Sequence, residues 1–121
     1  MSDDPYSRQV RERFASPARA GDVDGGESAL VEDQGIRVRL AARESGGRIE
    51  IMRFQAWGCP HLIAAADWLC EHYQGRALAA LEEFPFALIM ENLAIPTEKT
   101  GRILVLEDTV RSLGQKFGDG S

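Results

Sequence analysis

The sequence predicts an α+β domain: an N-terminal helix, a small three-stranded antiparallel sheet, and a helical layer packed on one sheet face. Three observations carry that prediction. Ile36, Val38 and Leu40 alternate with Arg37, Arg39 and Ala41, the period of a half-buried strand. Glu44-Ser45-Gly46-Gly47 is a hairpin turn signal leading into a second β-rich run, Arg48 to Ala56. Leu62, Ile63, Ala66, Leu69, Cys70 and Tyr73 then fall on one face of a 3.6-residue period. A sheet this small needs helices to complete its core.

At the N-terminus, residues 1–4 are expected to be loose. Tyr6, Val10 and Phe14 recur every four residues, so 5–15 reads as a short amphipathic helix ended by Pro17. Gly21 to Ser28 is a loop by composition, and 28–31 a short first strand. In the strand 48–56 the apolar residues lie on both faces, Ile49 and Ile51 and then Met52 and Phe54. That pattern predicts a bulge or coverage from both sides. After the helix that stops at Gly75, two short helices are expected, 77–84 and 86–93, parted at Pro85. Ile95-Pro96-Thr97 reads as an extended linker. Ile103, Leu106, Val110, Leu113 and Phe117 mark a final helix from about 103 to 117, with a fraying tail over 118–121.

The 121 residues fit one domain, 1–121. The net charge of −5 argues against nucleic-acid phosphate as a partner. No apolar run is long enough to suggest a membrane helix. The two cysteines, Cys59 and Cys70, lie about 16 Å apart if one helix carries both, too far for a disulfide. Free thiols and a polar, acidic start predict a cytoplasmic protein.

Chemistry concentrates at Trp57-Gly58-Cys59-Pro60. Pro60 suits the first helical position, which puts Cys59 at or beside the N-cap, where unpaired backbone N–H groups and the helix dipole favour a thiolate. His61, two residues on, is placed to join Cys59 on a metal or to face solvent. Cys70 reads as a small core residue and His72 as solvated. Trp57 and Trp68 either form an apolar patch near Cys59 or pack into the body.

Several short motifs, in order, resemble the iron–sulfur cluster scaffold proteins of the IscU type and the N-terminal domain of NifU, a fold of the SufE/NifU type. They are Tyr6-Ser7 with Val10, Phe14, Pro17 and Gly21; Arg53-Phe54 before Trp57-Gly58-Cys59; Ile63-Ala64, Glu71 and Gly75; Ile95-Pro96 with Lys99; and Glu107-Asp108. The resemblance spans roughly residues 6 to 114. It implies a non-enzymatic protein of iron–sulfur cluster assembly, with an iron–sulfur cluster or zinc held by three cysteines, an Asp and sometimes a His. It also implies a cysteine desulfurase as partner and an Hsp70-type chaperone that reads Ile95, Pro96 and Lys99.

The ligand set is degenerate. Cys59 matches the central cysteine. Arg102, preceded by Gly101, stands where the resemblance places the third cysteine and its preceding His. The first cysteine falls within Val31-Glu32-Asp33-Gln34, which holds none. Cys59 is therefore the one matched cofactor and metal ligand, with Asp33, Glu32 and His61 as candidate additions. A guanidinium does not ligate metal. Arg102 is expected to act instead as a counter-ion to Cys59, paired with Glu32 or Asp33. Sulfur acceptance or weak metal binding at Cys59 follows from this, with a metal-free adaptor for assembly partners as the alternative. A cysteine-nucleophile enzyme lacks any visible oxyanion or substrate motif.

Overall fold

A computed structural model describes residues 6–33 and 35–119. Residues 1–4 of the sequence reading lie outside them. The elements run α1 (Arg8–Ala15), β1 (Glu27–Asp33), β2 (Ile36–Ser45), β3 (Arg48–Trp57), α2 (Pro60–Tyr73), a 3-10 turn (Leu78–Glu82), α3 (Phe86–Asn92), a second 3-10 turn (Thr97–Lys99) and α4 (Thr100–Asp119). The sheet order is β1-β2-β3 with both pairs antiparallel. α4 packs on β1 and β2, α2 packs on β3, and α1 lies against α2.

The core sits between the sheet and these helices. Ala29, Val38, Leu40, Ala42, Ile49, Met52 and Phe54 meet Leu62, Leu69, Ile103, Leu106 and Leu113. Ile49 and Met52 differ in strand parity, yet both are fully buried. The register shift opposite Arg43/Glu44 explains this: Arg43 faces Ile51 but Glu44 faces Ile49, so Glu50 is the extra residue. The bulge predicted from the apolar pattern is present, and it brings Ile49 onto the core side.

The segment before β1 is strapped to the sheet. The Gly21 N–H donates to the Phe54 carbonyl at 2.9 Å and the Phe54 N–H to Arg19 at 3.1 Å. Arg39 pairs with Asp22 at 2.7 Å, and Arg43 donates to the Asp24 carbonyl at 2.9 Å. These contacts hold the strap on the side of β2 that the helices leave free, where Ala41 is buried. Gly26 closes the strap so tightly that a methyl group there would overlap the Ala42 carbonyl oxygen. Gly26→Ala is expected to cost about 1–3 kcal/mol, because the obstacle is backbone and cannot rotate away. A chemical melt of the variant at wild-type stability would show that the strap shifts freely.

Several boundaries differ from the sequence reading. α1 starts at Arg8 because Ser7 caps it, its Oγ accepting from the Val10 N–H at 3.2 Å and donating to the Leu93 carbonyl at 2.7 Å. Val10 is buried, but Phe14 is 45% exposed. Arg13, not Phe14, reaches α2 at that turn, through the carboxylates of Asp67 and Glu71. The segment expected to be a helix over 77–84 forms only the 3-10 turn. α4 begins three residues earlier than its apolar pattern, continuing directly from the turn at Thr97–Lys99, and it includes Gly118, expected to fray.

Ala94 ends α3 at φ 49°, a left-handed conformation that strains a side chain. Ala94→Gly is expected to raise stability by about 0.5–1 kcal/mol, read as a higher urea midpoint. A lower midpoint would mean that the loss of chain stiffness outweighs the relieved strain.

Candidate functional site

Cys59 caps α2. Its backbone is extended (φ −79°, ψ 164°), Pro60 occupies the first turn, and the Cys59 carbonyl accepts from Leu62 and Ile63 at 3.0 and 3.2 Å. The thiol itself makes no cap hydrogen bond and is half-buried. That matches the sequence reading of a sulfur at the mouth of a helix. Cys70 is fully buried and its thiol is pushed far above its ordinary range, first by burial and then by the nearby Asp67. It is an inert core group.

His61 is not at the surface. It is 2% exposed, lies 4.8 Å ring to ring from Tyr6, and neither ring nitrogen has a hydrogen-bond partner. Burial holds its pKa below the ordinary 6.5, the positive charges of Lys99 and Arg102 lower it further, and Glu98 opposes them. His61, in the first turn of α2, thus feels charges carried by the turn before α4 and by the first turn of α4. An imidazole depressed in the fold leaves the unfolded chain binding more protons once the pH drops below about 6.5. Stability is complete above that value and falls as pH decreases towards the folded pKa. His72 acts in the same direction, through burial and then Arg76. His61→Phe is therefore expected to flatten, but not abolish, the loss of stability measured in urea between about pH 7 and 5. Equal slopes for the two proteins would contradict a neutral, desolvated His61.

Arg102 has a buried Nε with no partner. It lines a cavity of about 350 Å³ with Asp33, Ile36, Glu98, Gly101, Leu104, Val105 and Asp108. Among the described residues no ion pair reaches it within 4.0 Å. The expected pairing with Glu32 is replaced by a cross-strand pair, Glu32 with Arg37 at 2.7 Å, because the β1–β2 register sets the two residues opposite each other. Asp33 does share the Arg102 cavity, without ion-pair contact. Asp108 is turned to Arg111 at 3.2 Å. Ile95 is buried, and Pro96 leads into the turn that carries Lys99.

Trp57 and Trp68 go separate ways. Trp57 is 50% exposed beside Gly58, with the Arg37 guanidinium 5.3 Å from its ring centre. Trp68 is half-buried against the core and stacks on His72 at 5.0 Å, so His72 is not freely solvated. The sequence reading missed Asp67, 2% exposed in the apolar face of α2 and bonded to Arg13 and to the Arg19 N–H. An acid inside an otherwise apolar helical face was its available signal.

Among the described residues, no three His, Cys, Asp or Glu side chains converge as metal ligands. A thiolate-bound cluster or structural zinc needs about four donors. The described residues do not fit a metal or cluster held within one chain. No helix among the described residues is long and apolar enough to cross a membrane.

With this geometry in view, the chain is similar to the iron-sulfur cluster assembly scaffold protein IscU of Azotobacter vinelandii, 27% identical over 88% of this chain and 89% of that protein. It is 30% identical to the bifunctional protein NifU/MnmA of Rubrobacter xylanophilus over 96% of this chain, which spans 28% of that longer protein. The fold is similar to the crystal structure of a putative iron-sulfur cluster assembly scaffold protein for the SUF system from Fervidobacterium islandicum, with a TM-score of 0.68 at 15% identity, covering 90% of this chain and 96% of that one. Residues 5–117 match the NifU-like N terminal domain, and the chain belongs to that family.

Proposed function

We propose that this protein serves iron–sulfur cluster assembly as a scaffold-type sulfur acceptor, taking sulfur at Cys59 rather than holding a cluster within one chain. The observation that carries the reading is a half-buried thiol at the start of α2 that makes no cap hydrogen bond, with no converging set of metal ligands among the described residues. The relatives' names supply the process. The chemistry needs no oxidant. The Cys59 thiolate attacks the outer sulfur of a persulfide on a cysteine desulfurase, the donor S–S bond breaks, and the donor leaves as a thiolate. Cys59 then carries the transferred sulfur as its own persulfide. We place this exchange in a reducing cytoplasm, with the desulfurase as partner and Pro96 and Lys99 as the chaperone-facing part of their segment, since Ile95 is buried in the core. The protein is a carrier in this reading, not an enzyme.

A second reading is an adaptor that keeps the fold for assembly partners and carries no sulfur or metal. Arg102, standing where the resemblance places the third cysteine, favours it. Incubation with a cysteine desulfurase and ³⁵S-labelled cysteine separates the two. Label bound to the wild type and absent from Cys59→Ser supports acceptance. A folded wild type that binds the desulfurase and gains no label leaves the adaptor.

A further inference from the structure

Three arginines gather at the C-terminal end of α2. Arg48 Nη1 donates to the Gly75 carbonyl at 3.2 Å, and Arg76 Nε to the His72 carbonyl at 2.6 Å. Arg53 Nη1 donates to Gln74 Oε1 at 2.9 Å and to the Met52 carbonyl at 2.7 Å. All three are therefore tied to the stretch 72–76. Two backbone bonds fix that stretch on β3: the Gly75 N–H donates to the Ile49 carbonyl at 2.7 Å, and the Ile49 N–H to that of Arg76 at 2.8 Å. Carbonyls left over at a helix end attract cations, which explains the placement but leaves the charge unanswered.

Elsewhere the arginines meet carboxylates. Arg8, Arg13, Arg37, Arg39, Arg43 and Arg111 each have one within 4.0 Å. Arg48, Arg53 and Arg76 have none among the described residues, and every acceptor they use is neutral. Glu50, between Arg48 and Arg53 in β3, is held by Arg43. Arg48 and Arg76 are exposed and each uses one nitrogen of its fork, so donors remain for a partner. In a chain of net charge −5, this end is a local positive surface on a fixed turn. Beside it lies a hollow of about 490 Å³, lined by Gln74, Gly75 and Arg76 and by Trp68 and His72, whose rings stack at 5.0 Å. Arg13 and Glu71, also on its wall, pair with each other.

We infer that this end of the molecule docks an acidic segment of a partner protein. Its carboxylates pair with Arg48, Arg53 and Arg76, and an aromatic side chain of the segment enters the hollow against Trp68 and His72. A guanidinium matches a carboxylate in two-point geometry. A long phosphate backbone would also meet the chain's excess negative charge, whereas a short acidic segment meets only the positive end. The surface sits at the far end of α2 from Cys59, about 21 Å along a helix of 14 residues, so its occupant leaves the thiol open. The inference does not depend on sulfur acceptance.

The probe is a fluorescein-labelled hexaglutamate peptide ending in tryptophan, with its hexaglutamine analogue as control, followed by fluorescence anisotropy. Saturable binding of the glutamate peptide alone is expected. Arg48→Gln, Arg53→Gln and Arg76→Gln together are expected to weaken it at least about tenfold. Arg8→Gln, Arg43→Gln and Arg111→Gln together remove the same charge from paired arginines and are expected to change it no more than about twofold. Amide ¹⁵N shifts of the wild type during the titration are expected to concentrate at residues 48, 53 and 72–76, a readout that needs no variant to fold. No binding by the wild type, an equal loss in both triple variants, or shifts spread over the surface overturns the proposal. Tighter, cluster-dependent binding of an oligothymidylate overturns it in favour of nucleic acid.

Discussion

Asp67→Ala is expected to destabilise the protein by about 3–5 kcal/mol, the cost of breaking a buried ion pair from one side. Asp67 Oδ2 accepts from Arg13 at 2.7 Å, and its Oδ1 accepts from the Arg19 N–H at 2.9 Å. One carboxylate thus fastens α1 and the strap before β1 to the middle of α2. Its removal leaves the Arg13 charge half-buried and an Arg19 N–H without an acceptor. Glu71 shares Arg13 at 2.7 Å but is 47% exposed in its side chain, so it cannot take over the buried end. Glu71→Gln is expected to cost no more than about 1 kcal/mol, as exposed pairs do. Urea melts of the two variants at one pH compare them directly. A loss below about 1 kcal/mol for Asp67→Ala would mean that α1 is held mainly by contacts other than the Asp67 carboxylate, such as those of Val10 and Ser7.

Arg102→Cys is expected to raise the chain's retention of metal. The wild type offers one thiolate, one buried imidazole and scattered carboxylates, and no three of these converge among the described residues. Replacing a guanidinium by a second thiolate removes a fixed positive charge that His61 feels and adds a soft donor in its place. Cys59, the new thiolate and His61 then approach a three-donor zinc site, with Asp33 on the cavity wall as a fourth. Zinc retained after desalting is expected to rise at least about tenfold over wild type, and Cys59→Ser in the same background to remove the gain. Equal retention by the variant and the wild type would show that positions 59 and 102 do not face one pocket.

The elements legible in the sequence were those marked by apolar periodicity. The face of α2 followed from Leu62, Ala66, Leu69 and Tyr73. The bulge at Glu50 followed from apolar residues on both faces of one strand. Polar groups were harder to place, because burial of a polar side chain depends on partners far away in the chain. Asp67 is buried because Arg13 and Arg19 come to it from across the fold. Glu32 turns from Arg102 to Arg37 because of a strand register that composition does not specify. His61 was readable as near Cys59 but not as enclosed, since Tyr6 reaches its ring from far away in the chain. The start of α4 was missed because helix ends are polar and carry no apolar period. The position of Cys59 was legible because Pro60 fixes the first turn locally.

The central claim is that sulfur chemistry in this chain rests on Cys59. Trypsin releases Phe54 to Arg76 as one peptide carrying both cysteines. Tandem mass spectrometry of that peptide, after sulfur transfer from a cysteine desulfurase, locates the added atom. One extra sulfur on Cys59 and none on Cys70 is the predicted result. Sulfur on Cys70, or none on either cysteine after productive desulfurase turnover, contradicts it.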